Sequence, residues 1–269
     1  MIMKTVYRAV CIASVLISGC TLMRTEISSP NAYQVERDQL VIHSDFRLAK
    51  RHRLLDELVA RRLDLAAKLQ LPLSDEPIHV FLFDSPSEYH EFIAKKYPSF
   101  PDRRAFFVET DTRLKVYAYW GDRVGEDLRH EVTHGYLHAV LTNLPLWLDE
   151  GFAEYFEVPR GQRGVNAAHV ELLAEQLKFG KWFPDMAQLE KLERPEQMSQ
   201  QDYAESWLWA HWLLETTDPR LDLLRNHVAR MRLTGETPSL SVVVKSLEPN
   251  APQLVADHLR SLLQSRTLH

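Results

Sequence analysis

The sequence predicts an α+β fold in which a sheet-bearing half precedes a mostly helical half. Up to about residue 120, short apolar runs alternate with helical periods; from residue 123 onward apolar residues recur at helical spacing almost without interruption. Of the 269 residues, 45% are hydrophobic, which is enough to bury a core and excludes a disordered or fibrous chain. No internal repeat, low-complexity tract or interdomain linker divides the sequence, so the two halves are expected to pack as subdomains.

In chain order, Lys4 and Arg8 give a basic start, and residues 9–17 form an apolar stretch too short to span a bilayer. Ile17-Ser18-Gly19-Cys20 follows. This arrangement resembles the signal of bacterial lipoproteins, which implies removal of residues 1–19, lipidation of Cys20 and an extracytoplasmic chain with the membrane as partner. Two or more acyl groups anchor stably where one does not. In that family Thr21, a non-acidic residue after the cysteine, implies the outer membrane facing the periplasm if the host has two membranes. Cys11 lies inside the signal, so the mature chain has no cysteine pair for a disulfide. Residues 20–38 are polar and aperiodic and are expected to be a tether.

The folded part is expected to start near Leu40. Residues 40–43 read as a short strand, and 47–69 as a helix with Leu54, Leu55, Leu58, Leu63, Leu65 and Leu69 on its apolar positions, stopped by Pro72. Residues 78–83 are a strongly apolar strand, 85–96 a helix entered through Pro86, and 105–108 and 114–120 two further strands. Helices are then expected at 123–141, 146–157, 167–179, 202–215, 220–232 and 252–264. The subdomain boundary falls at 144, giving an α/β part over 39–144 and a helical part over 145–269.

The chemistry concentrates at the join. His130-Glu131-Val132-Thr133-His134 lies where Val124, Leu128, Val132 and Tyr136 recur every fourth residue, which places it on a helix. Imidazoles at i and i+4 leave one face with Cβ atoms roughly 5–6 Å apart and can share one ion. Glu131 is turned away by about 100° and flanks the ion as a base for water. After Pro145 a second helix carries Glu150 and Glu154. The short connection favours antiparallel packing and brings Glu150 or Glu154 back to the histidines. A level antiparallel ladder favours Glu154, because Glu150 lies nearer the turn. Two histidines and a glutamate make the open three-ligand set of catalytic zinc. His138 continues the i+4 series but stands about 12 Å from His130 along the axis, too far to share its ion.

The segment HEVTH followed by LPLWLDEGFAEYF resembles the gluzincins, and among them the peptidase MA-like members. The likeness is strong over residues 128–156. It implies a zincin-like fold with the active site between the subdomains, Zn2+ as cofactor, Glu150 as third ligand beside His130 and His134, Glu131 as catalytic base, and Glu154 orienting a ligand histidine. It also implies hydrolysis of a peptide or protein substrate, with an edge strand binding it; residues 105–108 are the candidate. Tyr203, just before a helix, resembles the catalytic tyrosine of the zinc aminopeptidases, and a structural tyrosine at a helix entrance fits the same position. The Gly-Ala-Met-Glu-Asn step by which those enzymes read a free amino terminus is absent, which points to an endopeptidase. The net charge of −5, without a Lys/Arg run, argues against nucleic acid. A non-catalytic zinc-bearing surface lipoprotein and a cell-wall peptide hydrolase are the alternatives.

Overall fold

The computed structural model describes residues 28–236 and 238–267. The signal segment and Cys20 lie outside them. The fold is α+β, a five-stranded mixed sheet with helices. Strands β1 (Tyr33–Arg37) and β2 (Leu40–Ser44) form an antiparallel hairpin whose turn holds Asp38 at φ 54°. Helix α1 (Arg53–Leu69) crosses to β3 (Ile78–Phe83), parallel to β2. After α2 (Pro86–Lys96), β4 (Ala105–Thr110) and β5 (Arg113–Tyr119) form a second hairpin, and β5 lies parallel to β3. The order across the sheet is β1-β2-β3-β5-β4, so β1 and β4 are its edges.

The alternation of side chains makes two layers. Leu40, Ile42, Ile78, Val80, Leu82, Leu114, Val116 and Ala118 are buried on one face and join the core that also holds α1 and α3 (Val124–His138). Phe83, Phe106 and Tyr117 join Tyr89, Phe92 and Ile93 of α2 in a separate cluster. Helix α3 rests directly on the sheet. A Cβ on Gly135 would come within 2.9 Å of Ile78, so glycine there sets the closeness of helix and strand.

The second half follows as α4 (Leu146–Glu157), α5 (Ala167–Lys178), the short α6 (Met186–Leu189), α7 (Gln200–Glu215), α8 (Asp218–Thr234), α9 (Leu240–Leu247) and α10 (Ala251–Thr267). Helix α4 is buried from Trp147 to Phe156, packed between α3 and α7. Such a helix must be compatible with packing all round, and Trp147, Phe152 and Phe156 of α4 with Trp207, Trp209 and Trp212 of α7 fill that space. One apolar core runs from β2 to α10 across the expected boundary at 144.

Three expectations are corrected. The tether assigned to 20–38 contains β1, an edge strand with mostly exposed or half-buried side chains, so it carries no apolar alternation to read. Helix α1 starts at Arg53 because residues 46–52 turn to set Phe46 and His52 against Trp120, and His52 caps the helix by accepting from the Leu54 amide. Helix α9 was not expected; its Val242-Val243-Val244 run favours strand locally, and Leu240 and Val244 are held in the core instead.

Candidate metal centre

Helix α3 buries Leu128 and Val132 against the core and turns His130, Glu131 and His134 toward the start of α4. The two imidazole Nε2 atoms stand 3.2 Å apart. Glu150 Oε2 lies 3.4 Å from that of His130 and 3.7 Å from that of His134. Three ligands bound at 2.0–2.1 Å in tetrahedral directions stand about 3.3 Å from one another, so this triangle is the size of one face of a zinc-type site. Glu150 Oε2 is buried and accepts no hydrogen bond among the described residues. A buried carboxylate oxygen left so is costly unless a cation completes it. The donor set fits a divalent metal, and the geometry alone does not select zinc among them.

The outer nitrogens are held by carboxylates. His130 Nδ1 lies 3.1 Å from Glu157 Oε2, and His134 Nδ1 lies 2.9 Å from Asp149 Oδ1 as an ion-pair contact off the line of a hydrogen bond. With Nδ1 as the protonated nitrogen on each ring, both Nε2 lone pairs face the centre. Burial opposes charge on His130, but Glu150 and Glu157 outweigh it and raise its pKa well above that of an ordinary histidine; for His134, Asp149 and Glu150 do the same. The site is built to stabilise positive charge. Burial holds Glu131 above the ordinary carboxylate value, helped by Glu150 and opposed by His130 and His134.

Two further groups of possible ligands overlap this one, His134 with His138 and Asp149, and His130 with Glu154 and Glu157. Within them His138 meets Asp149 and His130 meets Glu157, while Glu154 is engaged by His169. His138 Nε2 meets Asp149 Oδ2 at 3.0 Å and its Nδ1 meets Glu109 Oε2 at 2.6 Å. This is the fate of the third histidine. It takes no part in the triangle of His130, His134 and Glu150 and braces Asp149; burial opposes its charge, but the Asp149 and Glu109 carboxylates outweigh it and push its pKa up to about 9. Phe107 of β4 packs beside the same ladder, its ring 5.8 Å from that of His134.

Of the two glutamates, Glu150 faces the histidine pair. Glu154, expected to orient a ligand histidine, does not; that contact belongs to Glu157. One turn beyond Glu150, Glu154 instead accepts from His169 of α5 at 2.8 Å, and Asn166 donates to Glu157 at 2.9 Å. Burial works against ionisation of Glu154, yet the His169 bond and nearby histidine charges hold it below its ordinary value, whereas burial leaves Glu157 above.

Tyr203, in the first turn of α7, is brought to the same cleft. It lines a cavity of about 850 Å³ together with His130, Glu131 and Glu154. Its hydroxyl oxygen accepts from Arg103 Nη2 at 2.8 Å. Guanidinium cannot accept, so the phenol keeps its own proton to donate elsewhere. A smaller cavity of about 200 Å³, lined by Phe100, Phe106, Phe107, Leu146 and Glu150, lies on another side of Glu131. Arg103, His130 and Glu131 border both.

Sequence reasoning missed Arg103, Asp149, Glu157 and His169. Asp149 precedes Glu150, and Glu157 follows Glu154 at i+3 on the same face, so both had a local signal. Arg103 and His169 reach the site from a loop and from α5 with no pattern to mark them. No model of a known protein family matches the chain, and no curated protein matches it.

Proposed function

We propose that the chain is a zinc-dependent endopeptidase of the gluzincin kind on a zincin-like fold, held at a membrane surface outside the cytoplasm through lipidated Cys20. The supporting observation is the His130, His134, Glu150 triangle with edges of 3.2, 3.4 and 3.7 Å and Glu131 beside it on α3. His130, His134 and Glu150 would hold the zinc ion, which would supply Lewis acidity toward a carbonyl and lower the pKa of water. Glu131 takes the proton from the attacking water and returns it to the departing amine as the C–N bond breaks. Tyr203 donates its hydroxyl proton as a hydrogen bond to the oxyanion, and Arg103 holds the phenol in place. The substrate lies extended along β4, which among the described residues is paired with β5 alone, and pairs with it through the backbone.

Purified protein is expected to carry close to one zinc per chain and to cleave a peptide library, with loss of both on chelation and recovery on adding zinc back. Peptidoglycan fragments run in parallel separate a cell-wall hydrolase. Zinc without turnover of either substrate supports the non-catalytic lipoprotein instead.

Two variants report on the surroundings. Tyr203→Phe removes one oxyanion donor and should lower kcat by about 10²-fold with little change in KM or zinc content. Asp149→Ala removes the carboxylate behind His134 and should weaken zinc binding by roughly 10–100-fold, read by competition with a chromophoric chelator. An unchanged zinc affinity in that variant would show that His134 needs no such support.

A further inference from the structure

A second cavity, of about 670 Å³, lies between α1, residues 158–166, α7 and α8, and shares no lining residue with the cleft at the metal cluster. Its charges are unbalanced. Arg61, Lys68, Arg160, Arg163 and Arg225 line it, against only Asp64 and Glu215. Both carboxylates are occupied. Glu215 accepts from Tyr155 at 2.6 Å and pairs with Lys68 and Arg163, while Asp64 is held at both oxygens by Arg160 at 2.6 and 2.9 Å.

Arg61 has no direct ion pair, although the charges of Asp64 and Glu57 act on it from farther off. It is 7% exposed, and among the described residues no carboxylate lies within ion-pair distance of its guanidinium. It donates to the Val158 carbonyl just past the end of α4, and its Nε has no hydrogen-bond partner. The negative end of a helix offsets part of a cation's desolvation, about half an elementary charge at most. Burying a guanidinium with one donor idle remains costly, and burial correspondingly lowers the Arg61 pKa. The guanidinium groups that line the cavity match the oxygen pairs of an oxyanion.

The wall is built to a fixed shape. Gly161, Arg163 and Gly164 have φ of 93°, 50° and 69°, and a Cβ on Gly164 would overlap the Tyr155 ring at 2.2 Å. Trp207 Nε1 donates to the Gly164 carbonyl at 2.8 Å and holds this loop to α7. The volume exceeds that of a bare phosphate and leaves room for a substituent. We propose that this cavity is a binding site for a phosphate group, presented either as free phosphate or as the headgroup of an anionic phospholipid. A chain tethered at a membrane would meet the second source at high local concentration.

The test measures thermal shifts of the full-length protein in detergent with sodium phosphate, with sodium chloride at matched ionic strength, and with dihexanoyl phosphatidic acid against dihexanoylglycerol. Phosphate should raise Tm in a saturable way where chloride does not. A phosphatidic acid shift at lower concentration than phosphate, absent with dihexanoylglycerol, assigns the lipid; a shift with phosphate alone or at lower concentration assigns the free ion. Arg61→Met removes a donor to Val158 and can disturb folding, so the deciding variant is Arg160→Gln/Arg163→Gln, at the outer wall, where the two side chains are 50% and 74% exposed. It should weaken phosphate binding by about tenfold or more, since each lost bond is one to a charged group. No shift with any phosphate compound overturns the proposal. A shift unchanged in the double variant also overturns it, because binding then occurs elsewhere, the metal cluster included.

Discussion

Glu131→Gln is expected to lower kcat for peptide hydrolysis by about 10³-fold while zinc stays bound. The two halves of this result come from the geometry of α3. Glu131 is one residue on from His130, so its carboxylate leaves the helix about 100° away from the ligand face and is not part of the triangle formed by His130, His134 and Glu150. Removing its charge therefore leaves all three ligand atoms and their carboxylate supports, Asp149 and Glu157, in place. The amide that replaces it is nearly isosteric and cannot accept a proton from water, so the step lost is proton transfer and not binding. Kinetics and zinc content measured on the same preparation separate the alternatives. Full activity with full zinc would remove Glu131 from the mechanism, and loss of zinc would place it among the ligands or their supports.

The parts of this site that sequence could reveal are those whose meaning is local. His130 and His134 share a face because four residues is about one helical turn, and Glu150 and Glu154 share theirs for the same reason. Spacing alone left two glutamates: the resemblance pointed to Glu150 and a level antiparallel ladder to Glu154. The packed helices bring Glu150 to the histidines and leave Glu154 to His169, a residue on α5 that no spacing rule connects to α4. Arg103 is a hundred residues from Tyr203 and reaches it only because the loop before β4 lies against the first turn of α7. The strands β2, β3 and β5 were legible since their inward positions are Leu, Ile, Val and Ala, apart from Ser44 at the end of β2. β1 was not, because an edge strand is protected from aggregation by polar side chains, and those erase the pattern by which a strand is recognised.

Gly151→Ala is expected to destabilise the protein although it replaces a glycine inside a helix. Alanine is favoured over glycine within a helix by about 1 kcal/mol, so on propensity alone the substitution should stabilise α4. The packing reverses the sign. A Cβ at Gly151 would stand 2.6 Å from the Ser206 carbonyl oxygen, 3.0 Å from its carbon and 3.1 Å from the Ala210 Cβ, all on α7. Backbone cannot rotate aside as a side chain does, and α4 is buried from Trp147 to Phe156, so the helices must separate. Overpacking of this kind costs about 1–3 kcal/mol or more, and backbone contacts put it at the upper end, so the net loss after the helical gain is about 2 kcal/mol, a fall in Tm of about 4–8 °C. Gly135→Ala provides the contrast, since its contacts of 2.9, 3.1 and 3.2 Å are all with the side chain of Ile78 and none with backbone, and its loss should be smaller. Because Glu150 is the preceding residue, separating α4 from α7 should also shift its carboxylate and weaken zinc binding more than the fall in Tm accounts for. A Gly151→Ala protein that keeps both its Tm and its zinc affinity would mean that α4 and α7 are not in contact at this point, and that the position of Glu150 is set by α3 alone.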